Sequence, residues 1–183
     1  AFNTDVSKWD VSGVDNMESM FCWATSFNQD LSNWDVSHGP TMRGMFADAK
    51  SFNQDVSKWD VSRVTNMQRM FFDITLFNQD LSKWDVSKVT DMAMMFSKTY
   101  NFNQDLSNWD VSRVTSMDSM FKDAKAFKQT LCGAAWVNSN ATKNEMFSGN
   151  LHSSISKAPC GAWSISITFI LYFSFPNLWF GSR

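Results

Sequence analysis

Apolar and polar positions along this chain fall into one phrase that returns every 25 residues. Phe2, Phe27, Phe52, Phe77, Phe102 and Phe127 open successive copies, and the last copy is degenerate. Reading down the copies gives fixed apolar columns. One is Trp9, Trp34, Trp59, Trp84 and Trp109; another is Val11, Val36, Val61, Val86 and Val111. Met17, Met20 and Phe21 each head a further column repeated through the fifth copy. A fixed period of this size marks units that cannot bury their apolar face alone and must stack to share a core. The Trp column is therefore expected in that core. Its rival role is an exposed stacking platform for sugars or bases.

Two segments of each copy differ in period. Met67, Met70, Phe71 and Ile74, like Met117, Met120, Phe121 and Ala124, fall at i, i+3, i+4 and i+7, which predicts a short helix. Asp15-x-x-Glu18, Thr65-x-x-Gln68 and Thr115-x-x-Asp118 resemble capping boxes at its start. The stretch Leu81–Val86 predicts one short strand and a turn, with parallel pairing between copies. The expected fold class is α/β, a repeat solenoid with one short strand and one short helix per unit, as in leucine-rich repeats. Residues 1–149 form the expected solenoid and residues 150–183 a non-repeat tail.

Polar columns run alongside. Asn28, Asn53, Asn78 and Asn103 align, as do Asp30, Asp55, Asp80 and Asp105, and Asp35, Asp60, Asp85 and Asp110. Such residues commonly bond backbone groups in their own turns. The competing reading is a ladder of calcium sites, since stacked carboxylates repel unless neutralised. Calcium β-rolls use glycine-rich repeats, however, and this chain has 7 glycines, none at a repeated position. Positions that change from copy to copy are either a solvated face or the candidate binding face: Lys58, Arg63, Gln68, Arg69, Lys83, Lys88 and Arg113.

On these columns the chain resembles the BspA-like surface proteins, whose repeat carries W-D-V-S-x-V-T-x-M-x-x-M-F. The match spans residues 1 to about 127 and degrades over 128–149, where Trp136 and Met146-Phe147 sit out of register. The resemblance implies an extracellular or surface-anchored protein of leucine-rich-like fold, with adhesion or protein binding as its role. It carries over no functional residue, because the shared motif is a scaffold motif.

Composition narrows the partners. A net charge of −2 argues against nucleic acid, whose binding draws on a basic patch. No cofactor motif is present, and the histidines are His38, at a variable position, and His152, outside the repeats. Catalysis is not expected. The leading expectation is a scaffold for protein or glycan recognition. The alternatives are a structural or self-associating role and, further off, a regular lattice-binding surface of the ice-binding type.

Cys132 and Cys160 flank the last copy and would form one sealing disulfide in a secreted protein, leaving Cys22 unpaired. Asn140-Ala-Thr142 is a glycosylation sequon. The chain opens at Ala1 in mid-phase, which reads as a mature chain or a fragment. The tail holds an apolar run, Ile165–Phe175, short of the ~20 residues of a spanning helix. Membrane contact would come only through residues 163–180, which otherwise cover the last copy or have no role in the fold.

Overall fold

The protein is described here by a computed structural model covering residues 2–150 and 152–160. Each repeat lies against the next in register, and its hydrogen bonds run to residues about one period away. Single parallel bridges join Thr41 to Asn66, Asn66 to Asp91, Asp91 to Ser116 and Ser116 to Thr142. Among the described residues the regular elements are few: β1 at Thr130–Leu131, α1 at Ala134–Val137 and β2 at Ser154–Ile155, with β1 and β2 parallel.

The Met-Phe segment differs from the helix its spacing predicts. It is a run of overlapping turns, with Met70 N–H donating to Met67 C=O and Phe72 N–H to Arg69 C=O, both at 3.1 Å. The N–H groups of Met67, Arg69, Phe71 and Asp73 instead leave the segment. They donate to the carbonyls of Asp91, Ala93, Met95 and Ser97 in the next repeat, at 2.9–3.0 Å. Arg69 and Asp73 have φ of 56° and 53°. A left-handed residue at every fourth position reverses the winding before a helix can propagate, at about 1–2 kcal/mol for each residue with a Cβ. The bonds to the neighbouring repeat and the buried Met and Phe side chains offset that cost.

The strand expected over Leu81–Val86 is also replaced by turns. Trp84 N–H donates to Leu81 C=O at 3.1 Å, and Val89 N–H to Val86 C=O at 2.9 Å. The two segments have thus exchanged roles, because parallel bridging runs through the segment read as helical. The capping boxes shift by one residue as well. Asn16, Asn66 and Asp91 accept the N–H two residues ahead, while Thr65 and Thr115 hydroxyls donate to Pro40 and Thr90 carbonyls one repeat back.

The core is built from side-chain ladders. Phe21, Phe46, Phe71, Phe96, Phe121 and Phe147 stack with successive ring centroids 5.6–5.8 Å apart. A second ladder, Phe27 to Phe127, runs beside it, with 4.0–4.2 Å between each of its rings and the first-ladder ring six residues earlier. The Trp column is buried from the second repeat onward, and each indole donates to a carbonyl 28 residues back: Trp34 to Val6, Trp59 to Leu31, Trp84 to Val56 and Trp109 to Leu81. Trp9, with no described repeat before it, is 53% exposed.

The sixth copy, out of register in sequence, fits the same scheme in space. Trp136 is buried and its indole donates to Leu106 C=O at 3.0 Å, while Phe147 continues the first Phe ladder. The offsets of two residues at Trp136 and one at Phe147 are taken up in the stretch around α1. Pairing also continues past the expected boundary at 149, since Asn150 and Ser153 side chains donate to Ala124 and Phe127 carbonyls. Cys132 and Cys160 are joined by a disulfide, with Cα atoms 5.3 Å apart. The expected roles of the 163–180 segment lie outside the described residues. Among the described residues no helix is long and apolar enough to cross a membrane.

The polar columns divide by function in the fold. Asp residues close their own turns: Asp30, Asp55 and Asp80 Oδ1 accept the N–H of Ser32, Ser57 and Ser82 at 2.8–2.9 Å. The Asn column, expected in local turns, instead bonds between repeats. Asn28, Asn53 and Asn78 Oδ1 accept the N–H of Asn53, Asn78 and Asn103, and Gln79 Nε2 adds a bond to Asn53 C=O at 2.9 Å.

The hydroxyl and backbone N–H of Ser62 hold Asp60 below the ordinary carboxylate range, against desolvation and the charges of Asp35 and Asp85. Ser57, Ser87 and Ser112 do the same for Asp55, Asp85 and Asp110. A carboxylate whose folded pKa is depressed stabilises fully above its unfolded value, about 3.9, and stops doing so as pH falls through the folded value. The melting temperature is therefore expected to stay level from about pH 8 to 5 and to fall below about pH 4. A level melting temperature down to pH 2 would show that these turns contribute nothing.

Candidate functional site

The overlapping turns place two left-handed columns along one edge of the stack. One holds Ser19, Gly44, Arg69, Met94, Ser119 and Glu145; the other holds Trp23, Asp48, Asp73, Lys98, Asp123 and Gly149. No residue type is kept in either column, although each has the same backbone sign throughout. The second column and the residues just before it bound a groove of about 380 Å³, lined by Cys22, Trp23, Arg43, Arg69, Phe72 and Lys98, with Asp48 and Asp73.

Charges in the groove are partly matched. Lys50 bridges Asp48 at 3.2 Å and Asp73 at 2.5 Å. Burial pulls the Lys50 ammonium down, but its hydrogen bonds to Asp73 and Asp48 more than offset this and leave it raised. Arg43 pairs with Glu18 of the preceding repeat and donates from Nε to Gln68 Oε1 at 2.8 Å. Arg69 and Lys98 have no carboxylate partner among the described residues. They flank the Phe72 ring, with the Arg69 guanidinium carbon 5.6 Å and Lys98 Nζ 5.8 Å from its centroid. Cys22 has its thiol pKa pushed up, first by burial and then by the charge of Asp48, so little nucleophilic thiolate is present at neutral pH.

Of the residues nominated from sequence, Arg69 alone lines this groove, and Gln68 stands behind it on Arg43. Lys58, Lys83, Arg63, Lys88 and Arg113 are exposed but belong to other columns, and none borders the groove. The expected single face of seven residues is thus not one face. Trp23, Phe72 and Lys98 were missed, although a signal for them exists. Positions 22 and 23 of the phrase run Cys-Trp, Ala-Asp, Phe-Asp, Ser-Lys and Lys-Asp, so position 22 diverges as fully as the nominated Gln68 column.

One other grouping has the residue types of a hydrolase. Ser37 Oγ donates to Asp35 Oδ1 at 2.6 Å and lies 3.1 Å from His38 Nδ1. In a catalytic triad the carboxylate orients the histidine, which takes the serine proton. Here the serine proton goes to the aspartate, as it does from Ser12 to Asp10 at 2.6 Å, where no histidine is near in sequence. The grouping is one more copy of the Asp-Ser turn. Among the described residues no three His, Cys, Asp or Glu side chains are grouped to hold a metal ion. Asn140, the sequon residue, is exposed beside α1.

No curated protein and no solved structure matches the chain. A family model does match it, over residues 1–75 and again over 54–159, and is described as a Mycoplasma protein of unknown function, DUF285. The two overlapping matches cover all six copies of the phrase, including the one degenerate in sequence, so the chain belongs to the DUF285 family of repeat proteins.

Proposed function

We propose that this chain is a non-catalytic repeat solenoid of the BspA-like kind, extracellular or at the cell surface, that recognises a protein or glycan partner. The observation that carries this reading is the division of labour along the repeat. Constant apolar positions are buried in Phe, Trp and Met ladders, while several divergent positions, among them those of Arg43, Arg69 and Phe72, line one groove on the turn-wound edge. A repeat stack presents specificity from such positions on an invariant scaffold. The disulfide supports an oxidising compartment.

The test is binding of the oxidised full chain to arrays of glycans and of surface proteins, compared with Trp23→Asp and Arg69→Ser. These changes introduce residues already present at equivalent left-handed positions, Asp48 and Ser19, so the scaffold is kept. Binding that survives both changes would remove this groove from recognition. A self-associating role has one observation in its favour: Phe2 and Trp9 expose large rings at the first repeat, 43% and 53% accessible. Concentration-dependent assembly abolished by Trp9→Ser would favour it.

A further inference from the structure

The groove has an excess of unmatched positive charge. Lys50 bridges Asp48 and Asp73, one ammonium for two carboxylates, and Arg43 pairs with Glu18; Arg69 and Lys98, packed around the Phe72 ring, tip the balance of these groups to a single positive charge. Trp23, 71% exposed, lines the same groove, so an indole face is available further along it from the two cations. A volume of about 380 Å³ lies within the range of small-ligand sites.

The backbone of this edge restricts what kind of ligand it can take. A peptide that adds as a strand needs a row of open N–H and C=O groups. Along this edge the N–H groups of Ser19, Trp23, Gly44, Asp48, Arg69 and Asp73 all donate to carbonyls of the following repeat, at 2.8–3.0 Å. Recognition therefore falls to side chains: two cations of different geometry, and aromatic rings that accept an apolar ligand face. Guanidinium suits planar, bidentate anions, and ammonium acts as a point charge.

We infer that this groove binds an acidic oligosaccharide, one whose sugar rings carry carboxylate or sulfate groups. The sugar's C–H face lies on Trp23, and its anionic groups reach Arg69 and Lys98. Lys50, shared by Asp48 and Asp73, offsets one of their two charges, so the anion is opposed by one carboxylate charge and drawn by Arg69 and Lys98. This inference rests on the recognition reading above and specifies the ligand class.

The test uses the oxidised full chain and four probes: a heparin-derived oligosaccharide, an oligogalacturonate, a neutral oligosaccharide and poly-glutamate of similar charge. Binding to at least one acidic oligosaccharide is expected, weakening as salt rises. Arg69→Gln and Lys98→Gln should each weaken it roughly tenfold. Lys83→Gln and Arg113→Gln, which remove the same charge away from the groove, should leave it unchanged. The two acidic arms separate sulfate from carboxylate recognition, and either one supports the proposal. Poly-glutamate binding as tightly as the acidic sugars would overturn it in favour of an acidic peptide. Equal weakening by the four variants would overturn it in favour of diffuse charge attraction. If a neutral glycan or a protein binds at the groove and ignores the charge variants, the recognition reading stands and this inference falls. Blank arrays together with no probe binding would remove both.

Discussion

Trp59→Ala is expected to destabilise the protein by about 3–5 kcal/mol, the range for deleting a large buried aromatic. Trp59 is 5% exposed, packs 6.1 Å from the Phe46 ring and donates its indole N–H to Leu31 C=O at 3.1 Å. Its removal opens a cavity and leaves that carbonyl without its indole donor, and both losses fall on the interface between the second and third repeats. In a stack where each repeat touches only its neighbours, a weak interface in the middle divides the cooperative unit. Trp59→Phe keeps most of the volume and isolates the lost hydrogen bond, at about 1–3 kcal/mol. Trp9→Ala is the control, since its ring is half exposed at the first repeat. Urea unfolding followed by circular dichroism measures all three. A Trp59→Ala protein within 0.5 kcal/mol of the parent would place the column outside the core.

Loss of the Cys132–Cys160 disulfide has the next largest expected effect. The bridge closes a loop with a sequence separation of 28, for which the chain-entropy relation gives about 3–4 kcal/mol. A Cys132→Ser, Cys160→Ser double variant should lose that stability chiefly at one end. β2 is held to β1 by a two-residue parallel pairing, and Ser156 N–H donates to Leu131 C=O at 2.8 Å. Hydrogen exchange should therefore show early loss of protection at Ser156 and in the last repeat. Protection at Met67–Asp73, in the middle of the stack, should change little, because openings in such arrays are local. Uniform loss of protection along the chain would mean that the bridge stabilises the stack as one unit.

These expectations rest on different amounts of sequence information. The buried set was legible almost residue by residue, because it recurs in phase and only burial explains large apolar side chains at every period. Trp34 to Trp109, the Met pairs and both Phe columns are all in the core from the second repeat onward. Backbone conformation was not legible. Left-handed positions are usually marked by glycine, yet glycine holds one position in each column, Gly44 and Gly149, and the repeat carrying Arg69 and Asp73 has none. Without that marker, Met67, Met70, Phe71 and Ile74 read as one face of a helix. The same spacing also suits turns closing every three residues, so periodicity could not separate them.

The candidate site was legible only in outline. Divergence between copies identifies positions exempt from packing, and Arg69 was found that way. It cannot say which exempt positions meet. Arg63 and Lys88 are as variable as Lys98, but Lys98 reaches Phe72 of the preceding repeat and they do not border the groove. The sequence by itself determined the period, the core, the polar columns and membership of a repeat family, because each of these repeats within the chain. Tertiary structure decided the winding of each repeat, the cross-repeat bonding of Asn53 and Thr65, the sixth copy's return to register and the groove around Phe72. All four depend on contacts between residues about 25 positions apart, where inter-repeat hydrogen bonds outweigh local propensity.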